Sequence, residues 1–305
     1  MKVLIVGLGS IAKKHIKVLT ELVKTVEFYA LRSNKNASVY EEVINIYDWN
    51  VIRNIDFHFV LVTSPSALHL THLRELSELN IPMMVEKPFL INLNQIKEFE
   101  KLRFNNQLIY AACNLRFHPV IVFIKEYLTH NPSKVNEVNA YCGSYLPAWR
   151  PDQDYREIYS SKNELGGGVH LDLIHEPDYL IYLFGEPMSV EISNRKVSNL
   201  EIDTVDSSHY LFQYNNFQAE ITLNYFRKDT KRTLEIVREK DTLLVNFMEN
   251  SVVDLVNNIE LFKEEIPSIY ITYKKQMEYF LSCIENNTLP MNSPKEAIVI
   301  LKCVL

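Results

Sequence analysis

Apolar positions in the first half of the chain fall into two textures. Short unbroken runs, Lys2-Val3-Leu4-Ile5-Val6, Val26-Glu27-Phe28-Tyr29-Ala30-Leu31, Phe57-His58-Phe59-Val60-Leu61-Val62 and Ile81-Pro82-Met83-Met84-Val85, suit strands buried on both faces of a parallel sheet. Residues 11–23 and about 67–79 instead carry apolar side chains at helical spacing. Strand and helix in alternation predict a doubly wound sheet. Residues 39–55 read as a linking helix or two without chemistry. After Gly185-Glu186-Pro187 the pattern changes to short alternating runs at 190–197, 207–214, 217–226, 233–238 and 242–247. Asn215-Asn216 and Glu239-Lys240-Asp241 read as hairpin connections, so an antiparallel sheet is expected there. A helix over 270–285 and one starting at Ser293-Pro294 follow.

The apolar run at Ile81 ends abruptly in Glu86-Lys87-Pro88. Ligands of open parallel sheets lie beyond the carboxyl ends of the strands, so an acid and a base at such an end point toward ligand, the plain alternative being a surface salt bridge. The first run leads at once into Gly7-Leu8-Gly9-Ser10-Ile11-Ala12 and a helix. Strand, Gly-x-Gly-x-x-Ala turn and helix form a dinucleotide fingerprint. The first glycine makes the turn and the second admits the pyrophosphate. Ala12 allows close packing, and the phosphates sit on the helix N-terminus at Ser10 and Ile11. At the end of the next strand an NAD-binding site carries an acid for the ribose; here Arg32-Ser33 stands, which suits the extra phosphate of NADP. His15, His69 and His72 either approach ligand or pack on their helices, and no carboxylate or cysteine at useful spacing makes a metal site with them.

The composition narrows the partners. A chain of 305 residues suggests about two domains, and its 47% apolar and 23% charged residues are ordinary for a globular protein. A net charge of -6 without a basic stripe argues against nucleic acid and anionic membrane. Four scattered cysteines, Cys113, Cys142, Cys283 and Cys303, show neither zinc spacing nor a disulfide framework, as expected in a reducing cytoplasm. No run reaches the roughly 18 apolar residues of a membrane span, and Met1 leads straight into a strand, so a cytoplasmic protein is expected. The seven glycines are about a third of average usage. Two lie at Gly7 and Gly9 and three more at Gly166, Gly167 and Gly168, and both turns are expected to meet ligand.

The Gly7-x-Gly9 turn, Thr63-x-Pro65-x-x-x-His69, Glu86-Lys87-Pro88 and Asn114-x-Arg116-Phe117-x-Pro119 together resemble the glucose-fructose oxidoreductase, inositol dehydrogenase and MocA family. The resemblance implies that Lys87 lies beside the nicotinamide and the substrate hydroxyl or carbonyl, and that Pro88 follows a cis bond. It adds Thr63, Pro65, His69, Glu86 and Arg116 to the cofactor contacts. It also implies an α/β architecture: an N-terminal doubly wound Rossmann domain over 1–118, then an α+β domain over 119–305 with an open, mostly antiparallel sheet that pairs with another subunit. Alternating apolar residues such as Phe217, Ala219, Ile221 and Leu223 make the same case for a homodimer or homotetramer.

Downstream, Trp149-Arg150-Pro151 and Asp154-Tyr155-Arg156 set arginines among aromatic rings, which can hold phosphates and would suit a sugar nucleotide; a surface loop with scattered charge is the alternative. In the family the helix after Gly166-Gly167-Gly168 supplies an aspartate and a histidine spaced Asp-x-x-x-His. This chain has Asp172-x-x-His175 with Glu176 at the fourth place and Pro177 after it. Pro177 inside a helix would bend it and swing His175 toward substrate; a straight helix would present Glu176. The expected activity is hydride transfer between NADP(H), or else NAD(H), and a sugar, with Lys87, His175 and Asp172 as the catalytic groups and Trp149, Arg150, Tyr155, Arg156 and Glu176 at the substrate. Two alternatives stay open: a non-catalytic dinucleotide or sugar sensor, and an enzyme that uses the nicotinamide transiently for elimination or glycoside cleavage.

Overall fold

A computed structural model describes residues 1–36, 39–104, 106–265 and 269–305. The chain divides into two compact units, Met1–Asn114 with Tyr270–Leu301, and Leu115–Ile269 with Lys302–Leu305.

The first unit is built on six parallel strands: β1 (Lys2–Val6), β2 (Glu27–Leu31), β3 (Val43–Ile46), β4 (Phe59–Val62), β5 (Met83–Val85) and β6 (Ile109–Ala111), in the order β3-β2-β1-β4-β5-β6. Order reverses between β1 and its neighbours β2 and β4, and this switch point opens a crevice at the carboxyl ends of the strands. The helices are α1 (Ser10–Leu22), α2 (Trp49–Ile52), α3 (His69–Leu76) and α4 (Leu93–Phe99). Residues 39–55 thus hold a strand as well as a helix. Only Val43 and Ile46 of β3 are buried, too few for the run to read as a strand in the sequence. Central strands are apolar on both faces because both are covered: Val3, Leu4, Ile5, Val60, Leu61 and Val62 are all fully buried.

The second unit carries α5 (Pro119–His130), then β7 (Val135–Tyr145), the short helices α6 (Val169–Asp172) and α7 (His175–Phe184), and β8 (Ser189–Arg195), β9 (Ser207–Gln213), β10 (Gln218–Asn224), β11 (Phe226–Arg238), β12 (Thr242–Asn246), β13 (Ser251–Asp254) and β14 (Ile259–Lys263). These strands form one sheet, β14-β13-β12-β11-β7-β10-β9-β8, antiparallel except where β7 meets β10. Helices α6 and α7 pack against β7, β9 and β10, and α5 against β13. Ala219, Ile221 and Leu223 point one way and are buried, at most 1% exposed, within this unit. The opposite face shows Glu191, Leu211, Glu220, Asn139 and Glu235 across successive strands.

The chain then returns to the first unit through α8 (Ile269–Asn286) and α9 (Pro294–Lys302). The expected second domain over 119–305 thus loses residues 270–301. The cause is apolar: Phe280 meets Phe59 edge-on at 5.4 Å and stacks on Tyr110 at 6.1 Å, and Met277 shares their buried cluster. Asn292 seals the edge, donating its side-chain amide to the carbonyl of Ala111 at 3.0 Å. Among the described residues, no helix is long and apolar enough to cross a membrane.

Candidate active site

The turn after β1 has the geometry a dinucleotide needs. Gly7 has φ +92°, and a Cβ there would stand 2.6 Å from the backbone of Ser64, so protein alone demands glycine. Gly9 is different: it has an ordinary extended φ of -95°, and a Cβ would meet nothing within 4 Å. The open space lies in front of the first turn of α1, where Gly9 and Ser10 are exposed and no side chain caps the amides. Unpaired N–H groups and the helix dipole make this a seat for phosphate. Ala12, fully buried, lets α1 lie close on the sheet, and Ile11 is half-buried beside it. Thr63 tightens the turn from β4, its Oγ1 donating to the carbonyl of Gly7 at 2.6 Å.

Beside this turn lies a cleft of about 280 Å³ lined by Gly7, Arg32, Ser33, Trp49, Pro65 and His72, among others. Arg32 donates from Nη1 to Asn45 Oδ1 at 3.1 Å, which aims a half-buried guanidinium, with Ser33 exposed next to it. Trp49 was missed because residues 39–55 offered only weak periodicity, whereas His72 was weighed as either a ligand neighbour or a helix-packed residue. His72 hydrogen-bonds Ser64 Oγ at 2.9 Å, and burial, then the neighbouring His69, push its pKa down to about 4. It is neutral at neutral pH and brings no positive charge to a phosphate. His69 is fully buried between the carbonyls of Ser64, 3.0 Å from Nε2, and Phe89, 3.2 Å from Nδ1. It braces two loops and leaves no surface for cofactor, which corrects the contact expected of it.

At the end of β5, Glu86 is buried and accepts a hydrogen bond from, or shares a proton with, His15, whose Nε2 lies 2.7 Å from Oε1. Lys87 is half-buried, and the Lys87–Pro88 bond is cis.

The second unit holds the other candidates. Arg116 belongs here and does not reach for cofactor: only 3% exposed, it donates Nε to both oxygens of Asp178 at 3.1 Å and Nη2 to Oδ1 at 2.7 Å. The helix carrying Asp172 and His175 is in fact two helices. The break falls at Leu173, with φ -97° and ψ 31°, before Pro177 rather than because of it. Pro177 is the third residue of α7, where an N–H has no intrahelical acceptor and a proline costs nothing. Asp172 closes α6 and His175, half-buried, opens α7. Glu176 is fully buried, its two oxygens taken by Arg232 at 2.6 and 3.0 Å, so it faces protein rather than substrate. Asp172 Oδ2 accepts the hydroxyl of Tyr225 at 2.6 Å. Burial and the Asp172 charge push that phenol well above its ordinary range, so it stays a donor. Tyr225 lies 53 residues away in sequence, and no local pattern signals it.

The Gly166-Gly167-Gly168 turn is shaped by protein. A Cβ on Gly167 would stand 2.5 Å from the carbonyl oxygen of Tyr159, which explains the glycine without a ligand. Trp149 donates to Ser144 Oγ at 2.8 Å and meets Tyr225 edge-on at 5.3 Å. Tyr155 accepts the N–H of Glu201 through its hydroxyl at 3.2 Å, and Arg150 is exposed. Arg156 is committed to Asp154 and Glu201, at 2.7 and 2.9 Å, and is not set aside for a phosphate.

A parallel sheet with a phosphate-seating turn at its switch point, joined to an eight-stranded mixed sheet, defines a two-domain dinucleotide-binding protein. A family profile described as an oxidoreductase family with an NAD-binding Rossmann fold matches residues 1–112, and the profile of the same family's C-terminal domain matches residues 134–244. The chain belongs to the glucose-fructose oxidoreductase, inositol dehydrogenase and MocA family. It is 25% identical over 162 residues to scyllo-inositol 2-dehydrogenase (NADP(+)) IolW of Bacillus subtilis (strain 168), a match covering 52% of this chain and 44% of that relative, less than half its length. Similar folds include levoglucosan dehydrogenase in complex with NADH, TM-score 0.85 at 16% identity over 100% of this chain and 95% of that one. UDP-N-acetylglucosamine 3-dehydrogenase GnnA from Acidithiobacillus ferrooxidans gives TM-score 0.75 at 15% identity, covering 99% and 94%.

Proposed function

We propose that this chain is an NAD(P)-dependent oxidoreductase that moves a hydride between the nicotinamide, NADP(H) by preference, and a CH–OH or carbonyl carbon of a sugar or cyclic polyol. The observation that carries the reading is the pairing of an open phosphate seat at Gly9 with a lysine at the carboxyl end of β5 in the same sheet. When bound, the nicotinamide supplies or takes the hydride. The chain's own residues seat the phosphates on the first amides of α1, offer Arg32 and Ser33 to a 2'-phosphate, and move the proton. Lys87 takes the proton of the substrate hydroxyl, or gives one to the carbonyl. His175 is the partner acid or base, and Asp172, held by Tyr225, orients it or the substrate.

The nucleotide-sugar reading draws on Arg150 but loses Arg156, whose charge Asp154 and Glu201 already answer. An uncharged sugar or polyol fits the second unit better. A homodimer through the bare face of the eight-stranded sheet, carrying Tyr141, His209, Leu211 and Leu244, completes the proposal; a monomer by light scattering at micromolar concentration would overturn that part. The activity is tested by following NADPH and NADH absorbance against a panel of polyols, free sugars and nucleotide sugars. Turnover is expected with one class, falling about a hundredfold to ten-thousandfold in Lys87→Met. Cofactor binding without turnover on any of them favours a sensor, and product without net cofactor change favours transient redox.

A further inference from the structure

The outer face of α1 carries charge that neither the fold nor the cofactor seat uses. Lys13, Lys14 and Lys17 all stand exposed on it. The start of a helix favours acids, yet the first turn of α1 holds none and two lysines follow at once. Lys13 and Lys17 are also four apart, where like charges repel. Among the described residues none of the three is in an ion pair, and Glu21, one turn beyond Lys17, goes instead to Lys274 of α8 at 3.6 Å. Tyrosine rings hold the amines in place. Lys13 Nζ lies 5.3 Å from the ring centre of Tyr40, Lys14 Nζ 5.1 Å from that of Tyr273, and Lys17 Nζ 4.9 Å from that of Tyr270. Such a contact is worth about 0.5–1 kcal/mol at an exposed site, which steadies an ammonium without neutralising it.

The three lysines, Tyr40 and Tyr270 line one cleft of about 460 Å³, together with Thr20, Glu21 and Glu42. That volume falls within the range of about 300–1,000 Å³ typical of small-ligand pockets. The lining belongs wholly to the first unit and shares no residue with the cleft at Gly7 and Arg32, so this space lies apart from the cofactor seat. Since Lys274 already answers Glu21, three ammoniums face Glu42. We propose that this cleft is a second ligand site, one that takes a small molecule through a diphosphate group. Lysines bind phosphate as point charges, and Lys13 and Lys17 are about 6 Å apart along the helix axis, a span that two linked phosphates bridge and a single carboxylate does not. The diphosphate is either inorganic or part of a nucleotide, whose base would add contact with Tyr40 or Tyr270. The inference is independent of the roles given to Lys87 and the nicotinamide.

The test is calorimetric titration of the full chain with sodium pyrophosphate and, separately, with ADP, each with and without saturating NADPH. Both should bind at one site per chain, and NADPH should leave the binding unchanged. The double variant Lys13→Gln, Lys17→Gln should bind at least about tenfold more weakly, the worth of one charge-assisted contact. Lys13→Arg with Lys17→Arg should keep the affinity. Lys97→Gln with Lys295→Gln removes the same charge from exposed positions on α4 and α9 and should change little. In amine-selective acylation read by mass spectrometry, pyrophosphate should protect Lys13, Lys14 and Lys17 and leave Lys97 and Lys295 labelled. Equal affinities assign the site to inorganic diphosphate and tighter ADP to a nucleotide; either order supports the site. No binding at millimolar pyrophosphate or ADP overturns the proposal, as do equal losses in the two Gln pairs, unprotected lysines, or displacement by NADPH, which would put the diphosphate on the seat at Gly9.

Discussion

Each unit places a buried glutamate next to a candidate proton carrier, Glu86 before Lys87 and Glu176 after His175, yet the two are built differently. Glu86 keeps 11% of its side chain exposed and is held by the ring of His15 and the backbone N–H of Lys87. Glu176 is fully enclosed and gripped twice by Arg232, whose charge is permanent. The glycine turns differ in the same sense. Gly9 opens onto space a ligand can fill, whereas Gly167 is hemmed in by the carbonyl of Tyr159. Buried acid and clustered glycine mark close approach in both units. What approaches is adjustable in the first and is protein in the second.

The largest test of this contrast is Arg232→Ala, which leaves the buried Glu176 without its charged partner; urea unfolding should show a loss of about 3 kcal/mol. Glu86→Gln keeps a hydrogen-bonding side chain beside His15 and should cost under about 1 kcal/mol. Equal losses would erase the distinction between the two glutamates. Next in size, Gly167→Ala should cost about 1–3 kcal/mol by crowding Tyr159. Gly9→Ala should unfold like wild type but bind cofactor more weakly, as titration by cofactor fluorescence would show. A third variant, Arg32→Ala, should give up about tenfold of the preference for NADPH over NADH, the worth of one charge-assisted hydrogen bond; tighter NADH binding by the unaltered protein would sink the preference itself.

The smallest effect is a pH dependence. Glu86 is depressed in the folded protein, so its stabilising contribution is present above its unfolded pKa and fades as the pH falls through the folded one. The stability gap between wild type and Glu86→Gln should therefore close below about pH 4. Arg232 does not titrate in that range, so a gap that persists in acid would assign Glu86 the same fixed role as Glu176.

Local signals were legible in the sequence and distant ones were not. The turn after β1, the lysine at the end of β5 and the hairpins at Asn215-Asn216 and Glu239-Lys240-Asp241 are each written within a few neighbouring residues. Arg116 with Asp178, Glu176 with Arg232 and Asp172 with Tyr225 join residues 62, 56 and 53 apart, and nothing in either partner's neighbourhood announces the other. The helix break was expected but given the wrong cause. A proline signals a helix start as readily as a kink, and only the dihedrals at Leu173 tell which.

The return of α8 and α9 to the first unit bears on how the chain is made. Phe280 and Met277 complete a core that begins with Val3 and Ile5, so the dinucleotide unit cannot close until the rest of the protein has been synthesised. Most of the second unit, residues 115–269, emerges before the first can finish. On the ribosome, the N-terminal sheet must wait with the apolar surface beneath Phe59 uncovered, a long-range closure that is slow and open to aggregation. Truncation before residue 270 should accordingly leave an insoluble N-terminal unit, even though every residue of its phosphate seat is present.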